Sequence, residues 1–502
     1  MSRYLLAIDQ GSTNSRVFIF SHLGEIVSSH ELSLGQSYPH RGWVEQDPEE
    51  MWSNVLLCCR EAFRKSKLSA TQIAAIGITN QRETTIIWDK KTGKPIYPAI
   101  AWQDRRTAAI CKKLESHKIN IDLQEKTGLL LDPYFSASKI GWLLDNVPDA
   151  RVRAERGELA FGTVDTFLLW RLTNGKSHAT DATNASRTML FDIRKQCWDQ
   201  EILNAFNIPA ILLPTVLDSS DEFGEMDPDI LGDKIPVRSM IGDQQAATVG
   251  QACFDSGMIK TTYGTGCFIL LNTGNQLIKS NNKLLSTIAY RLNGEVTYGL
   301  EGSVFCAGTI IKWLRDKLRI IDNAAESAIL AQKVDSTEGV YLIPAFSGLG
   351  APYWDPDARA AILGLTGNSS REHIVRAGLE AVAYQTKDLL DAITKDYLFP
   401  FSLMRVDGGM TANDWLLQFI SSIIDLPVHR PTCIETTALG AAFLAGLSVG
   451  IYQSLEEISH LWQVDKIMLP IMEKAKSDSL YDQWKQAVAT VLQHPISPFH
   501  LF

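Results

Sequence analysis

Near residue 250 the chain begins again in the manner in which it opened. At the start, apolar runs at 4–8 and 15–20 flank the turn Gly11-Ser12-Thr13-Asn14, and a third run, 25–31, follows the turn SHLG. β-rich runs joined by short polar turns read as an antiparallel meander. Later, the runs 258–262 and 267–272 flank Tyr263-Gly264-Thr265-Gly266 in the same order. The correspondence lies in element order and turn chemistry, not in residue identity. It predicts two related halves, 1–248 and 249–502, with the boundary placed by the repeat alone. Within them, 48–65 reads as a helix, 73–79 as a buried strand and 161–172 as a strand or strand-to-helix junction. In the second half, 374–393 has the apolar spacing of a largely buried helix, and 404–406 is a short strand ending in Asp407-Gly408-Gly409. Alternating strands and helices make this an α/β chain.

Size and charge agree with that organisation. A chain of 502 residues, 45% hydrophobic and 21% charged, buries at least two cores. With 48 Lys+Arg against 57 Asp+Glu, the formal net charge of −9 repels polyanions, so nucleic acid is not an expected partner. The eight cysteines (58, 59, 111, 197, 253, 267, 306 and 433) form no C-x-x-C, which predicts reduced, mostly buried thiols and neither a zinc site nor a redox dithiol. Asp9 interrupts the first apolar run before a signal-peptide core is complete. The longest apolar tract, 438–452, is broken by Ser448 and falls short of the roughly 20 residues of a membrane span. A cytoplasmic protein with no membrane span is the expectation.

Three glycine-bearing turns follow apolar strands: Asp9-Gln10-Gly11-Ser12-Thr13, Tyr263-Gly264-Thr265-Gly266 and Asp407-Gly408-Gly409. Glycine lets backbone N–H groups approach phosphate oxygens, so a set of such turns suits a polyphosphate better than any one alone, which is ordinarily a tight hairpin. They match neither G-x-x-x-x-G-K-[ST] nor G-x-G-x-x-G, which leaves an actin-type double loop. Asp9 suits Mg²⁺, a hard ion that prefers carboxylate and water oxygens, and equally suits a turn cap. Arg16, one strand away, is positioned either to neutralise a transferring group or to sit exposed on its strand. Arg82-Glu83 follows a buried strand and offers donors and acceptors to a hydroxyl-rich ligand, or forms a plain surface ion pair. Trp102, Tyr134 and Phe268 supply an apolar wall for carbon atoms if they converge, and core packing if they do not. In Gly242-Asp243-Gln244-Gln245 the aspartate is either a base for an attacking hydroxyl or a turn residue, and the tetrapeptide does not choose.

Together, DQGSTNSR, GWVEQDPEEMW, AIGITNQRETTIIWD, YFSASKIGWLLDN, FGTVDTFLLWRLTNG, TNASRTMLFDI, GDQQAA, YGTGCF, PAFSGLGAPYWDP and RVDGG resemble the FGGY carbohydrate kinases from the start to about residue 450. The resemblance implies two ribonuclease-H-like (actin-like ATPase) domains, each on a mixed five-stranded sheet, with the active site in the cleft between them. It implies ATP and Mg²⁺ as cofactors and a homo-oligomer, dimer or tetramer. The combination of TNQRET, DPYFS and GDQQAA is similar to the members that phosphorylate glycerol to sn-glycerol 3-phosphate. On that basis Arg82, Glu83, Tyr134, Asp243 and Gln244 contact glycerol, Trp102 and Phe268 pack on its carbons, and Asp243 is the general base. Asp9 organises the metal and acts with Arg16 in catalysis. Ser12, Thr13, Asn14, Arg16, Thr265, Gly308, Lys312, Gly409 and Asn413 fall at nucleotide positions.

The chain departs from its relatives in places. GSTN replaces the commoner GTTS, and Lys312 stands where relatives carry glutamine. Residues 231–236 lack the glycine-rich, arginine-bearing loop through which some members bind fructose 1,6-bisphosphate, and 218–229 lack the histidine that others phosphorylate. Neither form of control is expected. The alternatives are a kinase for another polyol or ketose, and an actin-fold nucleotide binder without catalysis.

Overall fold

The computed structural model describes residues 4–115, 119–355 and 357–493. Among these residues, two large sheets carry the two halves. The first contains β1 (Tyr4–Gln10), β2 (Asn14–Ser21), β3 (Ile26–Ser33), β4 (Ile73–Asn80), β5 (Ser220–Glu225) and β6 (Pro236–Gly242), in the order β5-β6-β4-β1-β2-β3. The second contains β7 (Ile259–Tyr263), β8 (Cys267–Gly274), β9 (Leu285–Leu292), β10 (Glu295–Val304), β11 (Met404–Asp407), β12 (Val428–Pro431) and β13 (Val464–Met468), in the order β9-β10-β8-β7-β11-β12-β13.

The expected repeat is visible in strand directions. β3, β2 and β1 pair antiparallel, and β1, β4 and β6 pair parallel. β10, β8, β7, β11 and β12 repeat that series in the same order. Five strands are thus common to both halves, but the sheets themselves are larger than the five strands expected. β5 adds an antiparallel edge to the first, while β9 and β13 add one to each side of the second. β5 and β13 each bury a single residue, Phe223 and Met468, so they lack the buried apolar runs that mark the interior strands.

Local chemistry explains the helices. In α1 (Pro48–Ser66), Asp47 caps the N-terminus by accepting from Glu49 N, and Pro48 occupies the first turn, where its missing N–H costs nothing. Met51, Val55, Cys58, Cys59 and Ala62 form its buried stripe. α2 (Asp243–Gly250) leaves the end of β6, and α3 (Gly308–Asp316) follows β10. The long α4 (Arg371–Asp396) lies across the second sheet's core, as its spacing predicts, and is followed by α5 (Asp414–Ile424).

The apolar tract near residue 440 forms α6 (Thr436–Ser448), with Ala438, Leu439, Ala441 and Phe443 all buried. A helix apolar on every face must be covered on every face. Here much of the cover comes from the first half: Leu5, Ala7, Ala75, Ile241 and Ala246 share one cluster with α6, which Leu270 and Tyr290 of the second half also join. The approach is close enough that a Cβ on Gly440 would collide with the carbonyl of Ala246, and one on Gly77 with that of Ala441. The C-terminal helix, α7 (Lys474–Gln493), docks on α4, where Asp388 accepts from Tyr481 Oη at 2.8 Å and Trp484 Nε1 at 2.9 Å. All eight cysteines are free thiols and six are buried; Cys197 is exposed and Cys433 partly so. Among the described residues, no helix is long and apolar enough to cross a membrane.

Candidate active site

The site starts where β1 and β2 run side by side. Asp9 and Arg16 are direct cross-strand partners, so their side chains share one face of the sheet. Arg16 Nη2 lies 2.5 Å from Asp9 Oδ2, and its Nη1 lies 2.6 Å from Glu435 Oε2, just ahead of α6. Arg16 is therefore not a freely exposed strand arginine. Asp9 raises its pKa most, against burial, and Glu435 adds to the effect. The turn after β1 is closed by Gly11 N donating to Asn14 O at 2.9 Å, with Thr13 exposed at its tip.

Ser12 connects this turn to the aromatic wall, because Trp102 Nε1 donates to its Oγ at 2.8 Å. Trp102 meets Tyr134 edge-on, with ring centroids 5.6 Å apart, and Phe268 at 6.2 Å. The three aromatics do converge, one of them from the second half of the chain. An edge-to-face group of this kind offers a rigid apolar surface.

Beyond that wall lies a buried ionic chain. Arg82 is 3% exposed and Glu83 1%, and Glu83 adopts a left-handed backbone at φ 61°. This is not a surface ion pair; each residue reaches a different partner. Arg82 Nε lies 3.1 Å from Asp243 Oδ1, while its Nη1 and Nη2 approach Glu301 at 2.5 and 3.1 Å. Glu83 Oε1 takes Arg187 Nε at 2.6 Å, and Arg187 Nη2 returns to Glu301 at 3.1 Å. Arg187 and Glu301 were not among the residues that the sequence singled out. The signal for Glu301 was available: a carboxylate inside the apolar strand β10 must find a cation when buried. Arg187 follows the short segment Ala182–Ser186 and carries no comparable mark.

Asp243 opens α2, and its side chain is 29% exposed, whereas those of Arg82 and Glu301 are at most 2% exposed. It is the member of the chain that reaches open space, while protein still surrounds it on most sides. Burial raises its pKa to about 6; Glu83 and Asp9 push in the same direction, and Arg82 and Lys260 oppose them. Burial also works against Glu301, but Arg187 and Arg82 overcome it and hold that carboxyl at about 2. The backbone before Asp243 is pinned by Gly242 N donating to Thr183 Oγ1 at 2.9 Å. Gln244, 5% exposed, accepts from Lys260 Nζ at 2.5 Å.

The glycine turns of the second half converge separately. Gly308 N donates to Gly264 O at 3.0 Å, and Thr309 N donates to Thr265 O at 3.2 Å, which seats α3 on the exposed Thr265 turn. Gly408, at φ 90°, passes so close to Tyr263 that a Cβ there would lie 2.6 Å from its carbonyl oxygen. Exposed Gly409 follows, and Asn413 Oδ1 caps α5 by accepting from Leu416 N at 3.0 Å. Lys312 stands exposed one turn into α3. The arrangement pairs one partly exposed carboxylate with backbone loops able to hold a polyphosphate, which is the equipment of phosphoryl transfer.

Comparison with known proteins decides the family. Residues 4–250 match the N-terminal domain of the FGGY family of carbohydrate kinases, and residues 259–449 match its C-terminal domain. The chain belongs to the FGGY family. Within this FGGY family it is 58% identical over 499 residues to a glycerol kinase of Coxiella burnetii, covering 99% of both chains. It is 55% identical over 491 residues to glycerol kinase 1 of Pseudomonas aeruginosa, covering 98% and 99%. Its fold superposes on a crystal structure of Plasmodium falciparum glycerol kinase with ADP at TM-score 0.89 and 40% identity, covering 98% of each chain. A Lactobacillus acidophilus gluconate kinase has TM-score 0.85 at 22% identity over 98% of both chains, a likeness of fold alone.

Proposed function

We propose that this chain transfers the γ-phosphoryl group of ATP to glycerol, giving ADP and sn-glycerol 3-phosphate. Its full-length kinship with glycerol kinases supports the substrate, and the ADP-bound relative supports the nucleotide. The observation that carries the chemistry is Asp243, a carboxyl raised to about 6 and partly exposed beside Arg82. The attacking hydroxyl gives its proton to Asp243 as its oxygen bonds to the γ-phosphorus. The bond from that phosphorus to the ADP oxygen breaks, and ADP leaves with the electron pair. Arg82 and Glu83 read substrate hydroxyls with Tyr134 and Gln244, and Trp102 and Phe268 enclose its carbons. Arg16 offsets charge on the transferring group. Ser12, Thr13, Asn14, Thr265, Gly308, Lys312, Gly409 and Asn413 make up the nucleotide side.

Mg²⁺ fits this donor set in one way. Among the described residues no group of three metal-ligating side chains occurs, so a protein cage is absent. Asp9 gives one carboxylate oxygen to Arg16 and keeps another, which suits an ion that retains its waters and takes further oxygens from phosphates. Bound there, Mg²⁺ would neutralise phosphate charge.

The halves 1–248 and 249–502 act as the two bodies flanking the crevice, with α6 bridging them. A cytoplasmic homo-oligomer completes the reading, to be measured by light scattering of the purified protein. The deciding experiment is ADP release over glycerol, dihydroxyacetone, erythritol, xylulose and gluconate. Highest kcat/KM on glycerol is expected, and a better substrate elsewhere in that panel overturns the assignment.

A further inference from the structure

Lys260 is the second residue of β7, belongs to the second half, and has a fully buried side chain. Its Nζ donates to Gln244 Oε1 at 2.5 Å and to Thr262 Oγ1 at 3.0 Å. The first of these bonds crosses from one half to the other and ends on a residue assigned to glycerol. We infer that Lys260 is a positioning residue for substrate recognition: it fixes the Gln244 amide so that Nε2, not Oε1, faces the glycerol hydroxyl.

The reasoning rests on polarity. The two ends of a glutamine amide have nearly the same shape, so their partners alone decide which way it points. An ammonium has three donors and no acceptor, so it accepts only the oxygen end. The NH₂ end is then left to donate outward. Asp243, the preceding residue, is an acceptor. Adjacent positions thus present opposite polarities, and a polyol hydroxyl, which both gives and takes a hydrogen bond, needs both once it leaves water. Burial, with Arg82 acting the same way, lowers the Lys260 pKa from its ordinary value, and the neighbouring carboxylates Asp407, Asp243 and Glu301 oppose that fall. An ammonium buried for packing alone is costly compared with an apolar side chain.

This inference rests on the glycerol kinase reading, and a double-mutant cycle on the full-length protein tests it. At a pH well above that at which Asp243 titrates, so that loss of the Lys260 charge leaves the base ionised, Lys260→Met and Gln244→Leu are each expected to raise the KM for glycerol on the order of tenfold, the scale of one hydrogen bond to substrate, with little change in kcat or in the KM for ATP. The double variant is expected to be no worse than Gln244→Leu alone, because Lys260 acts through that side chain. Multiplying penalties, or a loss confined to kcat, overturns the inference. A second measurement covers the case in which Lys260→Met does not fold. Gln244→Glu places a carboxylate against the ammonium, so its melting temperature should stay at or above that of the parent protein while the KM for glycerol rises. A lowered melting temperature shows that Lys260 does not face residue 244 and overturns the inference. If the parent protein fails to phosphorylate glycerol, the kinase reading falls, and the melting temperature of Gln244→Glu still reports on the amide contact.

Discussion

Glu301 takes both terminal nitrogens of Arg82, at 2.5 and 3.1 Å, although the two residues belong to different halves of the chain. The carboxylate is fully buried and also holds Arg187. One side chain therefore balances two buried guanidinium groups. Removing a single partner from a buried ionic set strands the remaining charge. Glu301→Ala should cost about 3–5 kcal/mol, read from urea denaturation midpoints at constant slope. A change below about 1 kcal/mol would mean that water or a rearranged partner already satisfies the arginines.

Asp243→Asn keeps the size of the side chain and its place on α2 but removes the carboxylate proposed as the base. Turnover should fall on the order of 10²- to 10⁴-fold, with the KM for glycerol much less affected. Steady-state ADP release measures both quantities. An unchanged kcat would remove Asp243 from the proton-transfer role.

The same carboxyl sets a pH dependence. With its pKa raised to about 6, Asp243 is an available base only above that value, so kcat/KM should decline roughly tenfold per pH unit below it. The stability effect has the opposite sign. The folded state binds this proton more tightly than the unfolded chain, whose carboxyl titrates near 3.8, so the group's contribution is full below that value and is lost as pH rises through about 6. A profile of kcat/KM that is flat down to pH 5 would contradict the assignment.

Gly408 and Gly409 are adjacent but should respond differently to alanine. Gly408 sits at φ 90° with Tyr263 O in the way, so Gly408→Ala should lose more than about 1 kcal/mol in a thermal melt. A Cβ on Gly409 meets nothing within 4 Å, so Gly409→Ala should fold normally and report only on nucleotide contact, through the KM for ATP. Equal melting temperatures for the two variants would refute the distinction.

Much of the fold was legible because it is written in local patterns. The meander at 4–33, α1 with its Asp-Pro start, and α4 with its long buried stripe all follow from periodicity and capping chemistry. The edge strands β5 and β13 were not visible, since each buries only one residue and so carries no apolar period. At the site, the strand-end positions of Asp9 and Asp243 could be read, but their partners could not. Glu301, Arg187, Glu435 and Lys260 reach the centre from distant parts of the chain, and only the three-dimensional pairing gives them a role. Asn413 shows the converse: its side-chain oxygen is committed to capping α5, which single-sequence spacing did not reveal.

At the crossing of α6 over the first sheet, Gly440 rests on the backbone of Ala246, and Ala441 on that of Gly77, with no side chain between them. A joint made of bare peptide has no tolerance for drift, because one added methyl group pries the halves apart before any hydroxyl or phosphate is involved. Random mutagenesis scored by growth on glycerol should therefore find inactivating lesions at Gly77 and Gly440 as severe as those at Asp243.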